Sequence, residues 1–222
     1  MSTLTPIKDD QLKKYAFLFS AVKNNMGFVP NSMKTMAREP AILAAFTSLS
    51  GILLGNPEKT SPMLFLKLLW KNIGWSSKFM KRKDRVPLYL RNLVSHVSSN
   101  ASGCRYCQAH TIGEAKHNGV SDEKLKAVWE FETSPLFSDA ERAALRFGYA
   151  AGSVPNAVTE DHFVELRKYF TEDQIVELGA TIALFGFLNR WNDTFATQLE
   201  DLPIANAQEY LSPSGWVVGK HE

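Results

Sequence analysis

Two short strings constrain this chain more than anything else in it. In Ser138-Asp139-Ala140-Glu141 and Thr171-Glu172-Asp173-Gln174, a hydroxyl residue stands three places before a Glu or Gln. At a helix start those two side chains satisfy each other's free backbone amides, so each string predicts a helix N-terminus. The second heads a long apolar run through Ile175, Leu178, Ile182, Phe185, Leu188 and Trp191, at helical spacing. Ser121 and Thr159 mark two more helix starts, the latter leading through Phe163, Leu166 and Tyr169.

Towards the N-terminus the punctuation comes from Pro and Gly. Leu12, Tyr15, Ala16, Phe19 and Val22 predict an amphipathic helix over 9–25, ended near Gly27. Pro40 opens an apolar helix over about 41–54, which Gly55-Asn56-Pro57 stops. Ser61-Pro62 begins another, expected to run to Gly74, and Pro87 marks one ending near Ser99. After the break Asn100-Ala101-Ser102-Gly103, a helix from Cys104 runs to His117-Asn118-Gly119. No alternating strand pattern of useful length occurs, so the fold class is all-α. The expected layout is an N-terminal helical extension over 1–86, a core over 87–202 and an irregular tail over 203–222.

The 222 residues suffice for a substantial core, and the net charge of +2 gives no global pull towards nucleic acid. No run of some eighteen apolar residues predicts a membrane span, and residues 1–10 do not resemble a signal peptide. Two closely spaced cysteines in such a chain favour a reducing compartment, with the cytoplasm as the expected location.

Those two cysteines sit in Gly103-Cys104-Arg105-Tyr106-Cys107-Gln108-Ala109-His110. Thiols three residues apart on a helix can form a disulfide, and the helix start favours negative charge on sulfur. His110 lies one turn beyond Cys107, so Cys107 is the expected attacking thiolate, His110 its proton acceptor and Cys104 the resolving thiol. His96 and Asn92, four apart on the preceding helix, are the candidates to complete a proton relay. His96, Cys104, Cys107 and His110 are four ligands of kinds that zinc accepts. Three of its ligands would come from about two turns of one helix, a poor match to a tetrahedron, so neither metal nor cofactor is expected. His117 and His162 read as surface or helix-end residues, and His221 as part of the tail.

The string from Ser98 to Asn118 resembles the alkylhydroperoxidase D-like group of the carboxymuconolactone decarboxylase superfamily. Asp139-Ala140-Glu141-Arg142-Ala143-Ala144-Leu145 and Phe187-Leu188-Asn189-Arg190-Trp191-Asn192-Asp193 extend the resemblance. It implies an all-helical fold that assembles into dimers, trimers or hexamers. It also implies reduction of hydroperoxides through the paired cysteines, recharged by a dithiol donor such as a lipoyl or thioredoxin-like protein. The family's relay glutamate, twelve residues before the first cysteine, is Asn92 here; Asn92 cannot take up a proton, and His96 is its expected substitute. The family often places a histidine four residues after the second cysteine, where this chain has Thr111. A redox-sensing or partner-binding oligomer with little turnover is the alternative. Lactone decarboxylation, the superfamily's other chemistry, does not use a cysteine pair.

The remaining features read as structural. Lys78, Lys81, Arg82, Lys83 and Arg85 form a solvated basic helix end, with no nucleic-acid or membrane role expected. The apolar segment from Met63 to Trp75 suits an interface between copies. Phe185, Phe187 and Trp191 are core candidates that an organic peroxide pocket would also use.

Overall fold

Helix follows helix through the computed structural model, which describes residues 13, 15–26, 29, 31–54 and 62–222. Among the described residues there is no strand, so the all-α expectation holds. No described helix is long and apolar enough to cross a membrane. The chain divides into two compact units, Met1–Arg85 and Val86–Glu222.

The first unit holds α1 (Ala16–Met26), α2 (Asn31–Met36), α3 (Pro40–Leu54) and α4 (Pro62–Met80). Residues 9–12 of the expected first helix lie outside the described residues. Tyr15, Leu18, Phe19, Met33, Ala37 and Leu43 form its buried cluster. The Tyr15 hydroxyl donates to the Ala37 carbonyl at 2.6 Å, so its polar end is satisfied inside that cluster. Helix α4 does not stop at Gly74 but continues to Met80. A glycine inside a helix costs about 1 kcal/mol against alanine, which slows a helix without ending it. Leu66, Trp70 and Ile73 on α4 are exposed in the single chain. In the basic stretch beyond, Arg82 pairs with Glu39 and Asp84, while Arg85 lies over the Phe79 ring at 4.2 Å.

The second unit runs through α5 (Leu88–Ala101), α6 (Arg105–His117), α7 (Asp122–Lys126), α8 (Asp139–Gly152), α9 (Glu160–Leu166), α10 (Glu172–Phe195) and α11 (Asp201–Leu211). Both capping boxes are present: Ser138 and Glu141 bond reciprocally at 2.7 and 3.3 Å, Thr171 and Gln174 at 2.9 and 3.3 Å. Helix α5 is the central element, packed against α6, α8 and α10. Its Leu93, Val94 and Val97 are fully buried, each contributing on the order of 1.5–3 kcal/mol by leaving water. Two glycines let α8 approach α5 closely. A β-carbon on Gly152 would stand 2.5 Å from the Ser98 carbonyl oxygen, and one on Gly148 3.1 Å from a Val94 methyl.

The stretch 203–222 is not the irregular tail expected. Pro203 is the third residue of α11, where a backbone N–H has no partner within the helix, so a proline there removes nothing. Two short 3₁₀ turns follow, Ser212–Ser214 and Gly219–His221, and the second returns to α6.

Candidate active site

The site begins at the break between α5 and α6. Gly103, at φ +76°, takes the left-handed conformation that turns the chain, and the Ser102 hydroxyl ties the turn to the Gly152 carbonyl at 2.8 Å. Cys104 then occupies the N-cap of α6 in extended conformation. Its sulfur accepts the Cys107 backbone N–H at 3.4 Å, as a serine oxygen would at that position. Cys107 follows in the first turn, and its sulfur lies 3.6 Å from the Asn192 side-chain amide nitrogen, which donates from α10. Both thiols are free and buried, at 0 % and 2 % exposure.

The two sulfurs are not equivalent. The Cys107 thiol donates to Cys104, which lowers the Cys104 pKa; backbone amides of Cys107 and Tyr106 add to that, against the upward pull of burial and of Asp193. The same thiol–thiol bond, together with burial, raises the pKa of Cys107, and the Asn192 amide only partly opposes this. These directions favour Cys104 as the thiolate, whereas the position of His110 along the helix favours Cys107.

His110 points elsewhere. Its Nε2 lies 2.8 Å from a Glu200 carboxylate oxygen, and its ring stacks on Tyr106 at 4.4 Å between centroids. The Tyr106 hydroxyl donates to the other Glu200 oxygen at 3.2 Å. His96 is completely buried, with Nδ1 3.0 Å from the Thr111 hydroxyl, which in turn donates to the Cys107 carbonyl at 2.7 Å. Burial lowers its pKa to about 4, so the imidazole is neutral at physiological pH. Asn92 donates to the Glu114 carbonyl at 3.2 Å. His96 and Asn92 thus meet α6 through Thr111 and Glu114, not through hydrogen bonds to sulfur.

A family model for carboxymuconolactone decarboxylases matches residues 67–149. The crystal structure of the debrominase Bmp8 is similar over 95 % of this chain and 98 % of its own, with 30 % identity and a TM-score of 0.57. This chain belongs to the carboxymuconolactone decarboxylase family. A cysteine-to-alanine variant of Bmp8 in complex with 2,3,4-tribromopyrrole matches over the same spans at 30 % identity and a TM-score of 0.56. The uncharacterized protein YnjA of Escherichia coli (strain K12) is 33 % identical over 120 residues, 54 % of this chain and 64 % of YnjA. The chain therefore spans under two thirds of that relative's length.

Two residues of this family member escaped the sequence reading. Asn192 carried a faint signal, because Asn189 and Asn192 put polar groups on one face of a largely apolar helix, and both are buried. His221 carried none. It is 1 % exposed, and one of its ring nitrogens lies within 4.8 Å of both the Cys104 sulfur and an Asp193 oxygen. Four further buried polar atoms on α5 and α10 have no hydrogen-bond partner: His96 Nε2, Ser99 Oγ and both amide atoms of Asn189. Buried polar groups of this kind are normally met by water or by a bound molecule. Phe187 and Trp191, by contrast, lie exposed on α10 with ring centroids 5.9 Å apart. A separate cavity of about 240 Å³, lined by Ala143, Arg146, Asp161, His162 and Glu165, includes none of the residues around the sulfurs.

Proposed function

We propose that this protein is a thiol-dependent oxidoreductase that reduces hydroperoxides through a dithiol–disulfide cycle at Cys104 and Cys107. The observation that carries the reading is the N-cap sulfur of Cys104, which accepts the backbone N–H of Cys107 at 3.4 Å, with a second free, buried thiol on that same residue one turn away. A thiolate is the nucleophile in such chemistry, and a second thiol one turn away is the resolving group. Cys104 attacks the peroxide oxygen, the O–O bond breaks, and an alcohol leaves with a sulfenic acid on Cys104. Cys107 then displaces water from that sulfur and the disulfide forms. A dithiol donor, lipoyl or thioredoxin-like, returns two electrons and two protons. The unit 86–222 is the catalytic core, the first unit an extension, and the working form an oligomer of identical chains.

The likeness to Bmp8 favours a second substrate class for the same cycle. A brominated pyrrole would pass its bromine to the Cys104 thiolate, Cys107 would displace bromide, and the ring carbon would gain a proton. Two thiols again become one disulfide.

The test is consumption of an alkyl hydroperoxide and of a bromopyrrole, in parallel, with dihydrolipoamide as donor. Wild type should consume one of them, and Cys104→Ser neither. If Cys104→Ser keeps the wild-type rate on the consumed substrate, the cysteine cycle is wrong. If wild type consumes neither while peroxide converts the thiols stoichiometrically to a disulfide that changes its assembly, the chain is a sensor.

A further inference from the structure

We propose that His221, delivered by the last turn of the chain, is the proton partner of the Cys104 thiol, with Asp193 holding the charge it acquires. The inference deepens the thiol chemistry above and rests on that reading. Cys104 Sγ, an Asp193 carboxylate oxygen and a His221 ring nitrogen all lie within 4.8 Å of one another. These groups come from the N-cap of α6, the end of α10 and the C-terminal turn. The fold has brought them together.

The hydrogen bonds assign the tautomer. His221 Nδ1 lies 2.8 Å from the Thr197 carbonyl oxygen, which can only accept, so Nδ1 carries a proton. Nε2 is then the atom that gains or loses one. It is buried, makes no hydrogen bond, and stands 3.5 Å from Asp193 Oδ1. With Nε2 bare, a lone pair faces a carboxylate beside a sulfur. Transfer of the Cys104 proton to Nε2 breaks S–H and forms N–H, leaving an imidazolium between a carboxylate and a thiolate. No net charge enters the buried site. When the O–O bond breaks, the same proton goes to the departing alkoxide, and the imidazole is neutral again.

The segment carrying the ring is anchored from several sides. The Trp216 indole donates to the Arg105 carbonyl at 3.4 Å, and the Arg105 guanidinium to the Val217 carbonyl at 2.9 Å. The Lys220 ammonium donates to the Asp193 carbonyl at 2.7 Å and pairs with its carboxylate at 2.9 Å. The Leu199 N–H donates to the His221 carbonyl at 2.8 Å. The titratable and charged groups around the imidazole are Cys104, Asp193, Lys220, Arg105 and Tyr106, whose ring centroid is 5.8 Å away. Such anchoring holds a base in place, whereas His110 is committed to Glu200.

The experiment is pH-dependent alkylation of Cys104 in the reduced full chain, read site by site by mass spectrometry. His221→Asn is the informative variant: its amide nitrogen can keep the bond to the Thr197 carbonyl but nothing replaces Nε2. The thiolate fraction of Cys104 near neutral pH should fall by about tenfold, which is one unit in the alkylation midpoint. His117→Gln, at an exposed position, should leave the profile unchanged. In His221→Gly, added imidazole should restore part of the lost reactivity, an effect a purely structural histidine would not show. A His221→Asn profile that coincides with wild type overturns the inference, and so does imidazole that restores nothing. One equivalent of zinc in the purified protein, whose chelation frees Cys104, also overturns it, because a metal and not a proton would then join the three groups. Turnover assays run beside this separate the two readings. A shifted profile in a wild type that consumes neither substrate removes the enzymatic function and keeps the His221 pairing. Turnover with an unshifted profile does the reverse.

Discussion

Replacing Cys107 by alanine removes the thiol that donates to the Cys104 sulfur, yet keeps the residue 107 backbone N–H that lies 3.4 Å from it. A hydrogen bond to a charged acceptor contributes about 1.5–3 kcal/mol, and one pKa unit corresponds to about 1.36 kcal/mol. Losing that donor should therefore raise the Cys104 midpoint by about 1–2 units, a drop of roughly 10- to 100-fold in thiolate well below the midpoint. The chain has only two cysteines, so Cys107→Ala leaves a single thiol and the reading is unambiguous. The assay follows alkylation rate against pH for Cys107→Ala and for the wild-type pair. Both sulfurs are buried, so absolute rates include an opening step, but a pH-independent opening cancels from the midpoint. An unchanged midpoint would show that the neighbouring thiol does not activate Cys104. The assignment of attacking and resolving roles would then fail with it.

The buried imidazole of His96 predicts a stability slope. Its pKa falls from 6.5 to about 4 on folding, so between those values the unfolded chain holds more protons. Stability should be full above pH 6.5 and decline as pH falls towards 4, by on the order of 3 kcal/mol in total. His96→Gln should flatten that part of a urea-midpoint profile against pH, and a slope identical to wild type refutes the assignment. At the α5–α8 crossing, Gly152→Ala should destabilise the unit by about 1–3 kcal/mol, because the new methyl meets backbone atoms of Ser98 at 2.5–3.0 Å. An unchanged urea midpoint would mean the helices separate without cost.

What could be read from the sequence was what depends on neighbours along the chain. Ser138 with Glu141 and Thr171 with Gln174 announce helix starts because both bonding partners lie within four residues. The meeting of Cys104 and Cys107 is of the same kind, since one turn of helix places the first sulfur at the amide of the second. Where local signals compete, the sequence misleads. Gly74 and Pro203 look like breaks, but both are accommodated, one within a helix and one in a first turn. The histidines were beyond its reach. His110 shares a helical face with Cys107, but a carboxylate ninety residues further along, Glu200, holds its ring. His221 meets Cys104 only because α10, α11 and the last turn fold back onto the start of α6. Backbone hydrogen bonds of a helix are set within a few residues, whereas the protonation of a thiol depends on charges within a few ångströms, whatever their distance along the chain.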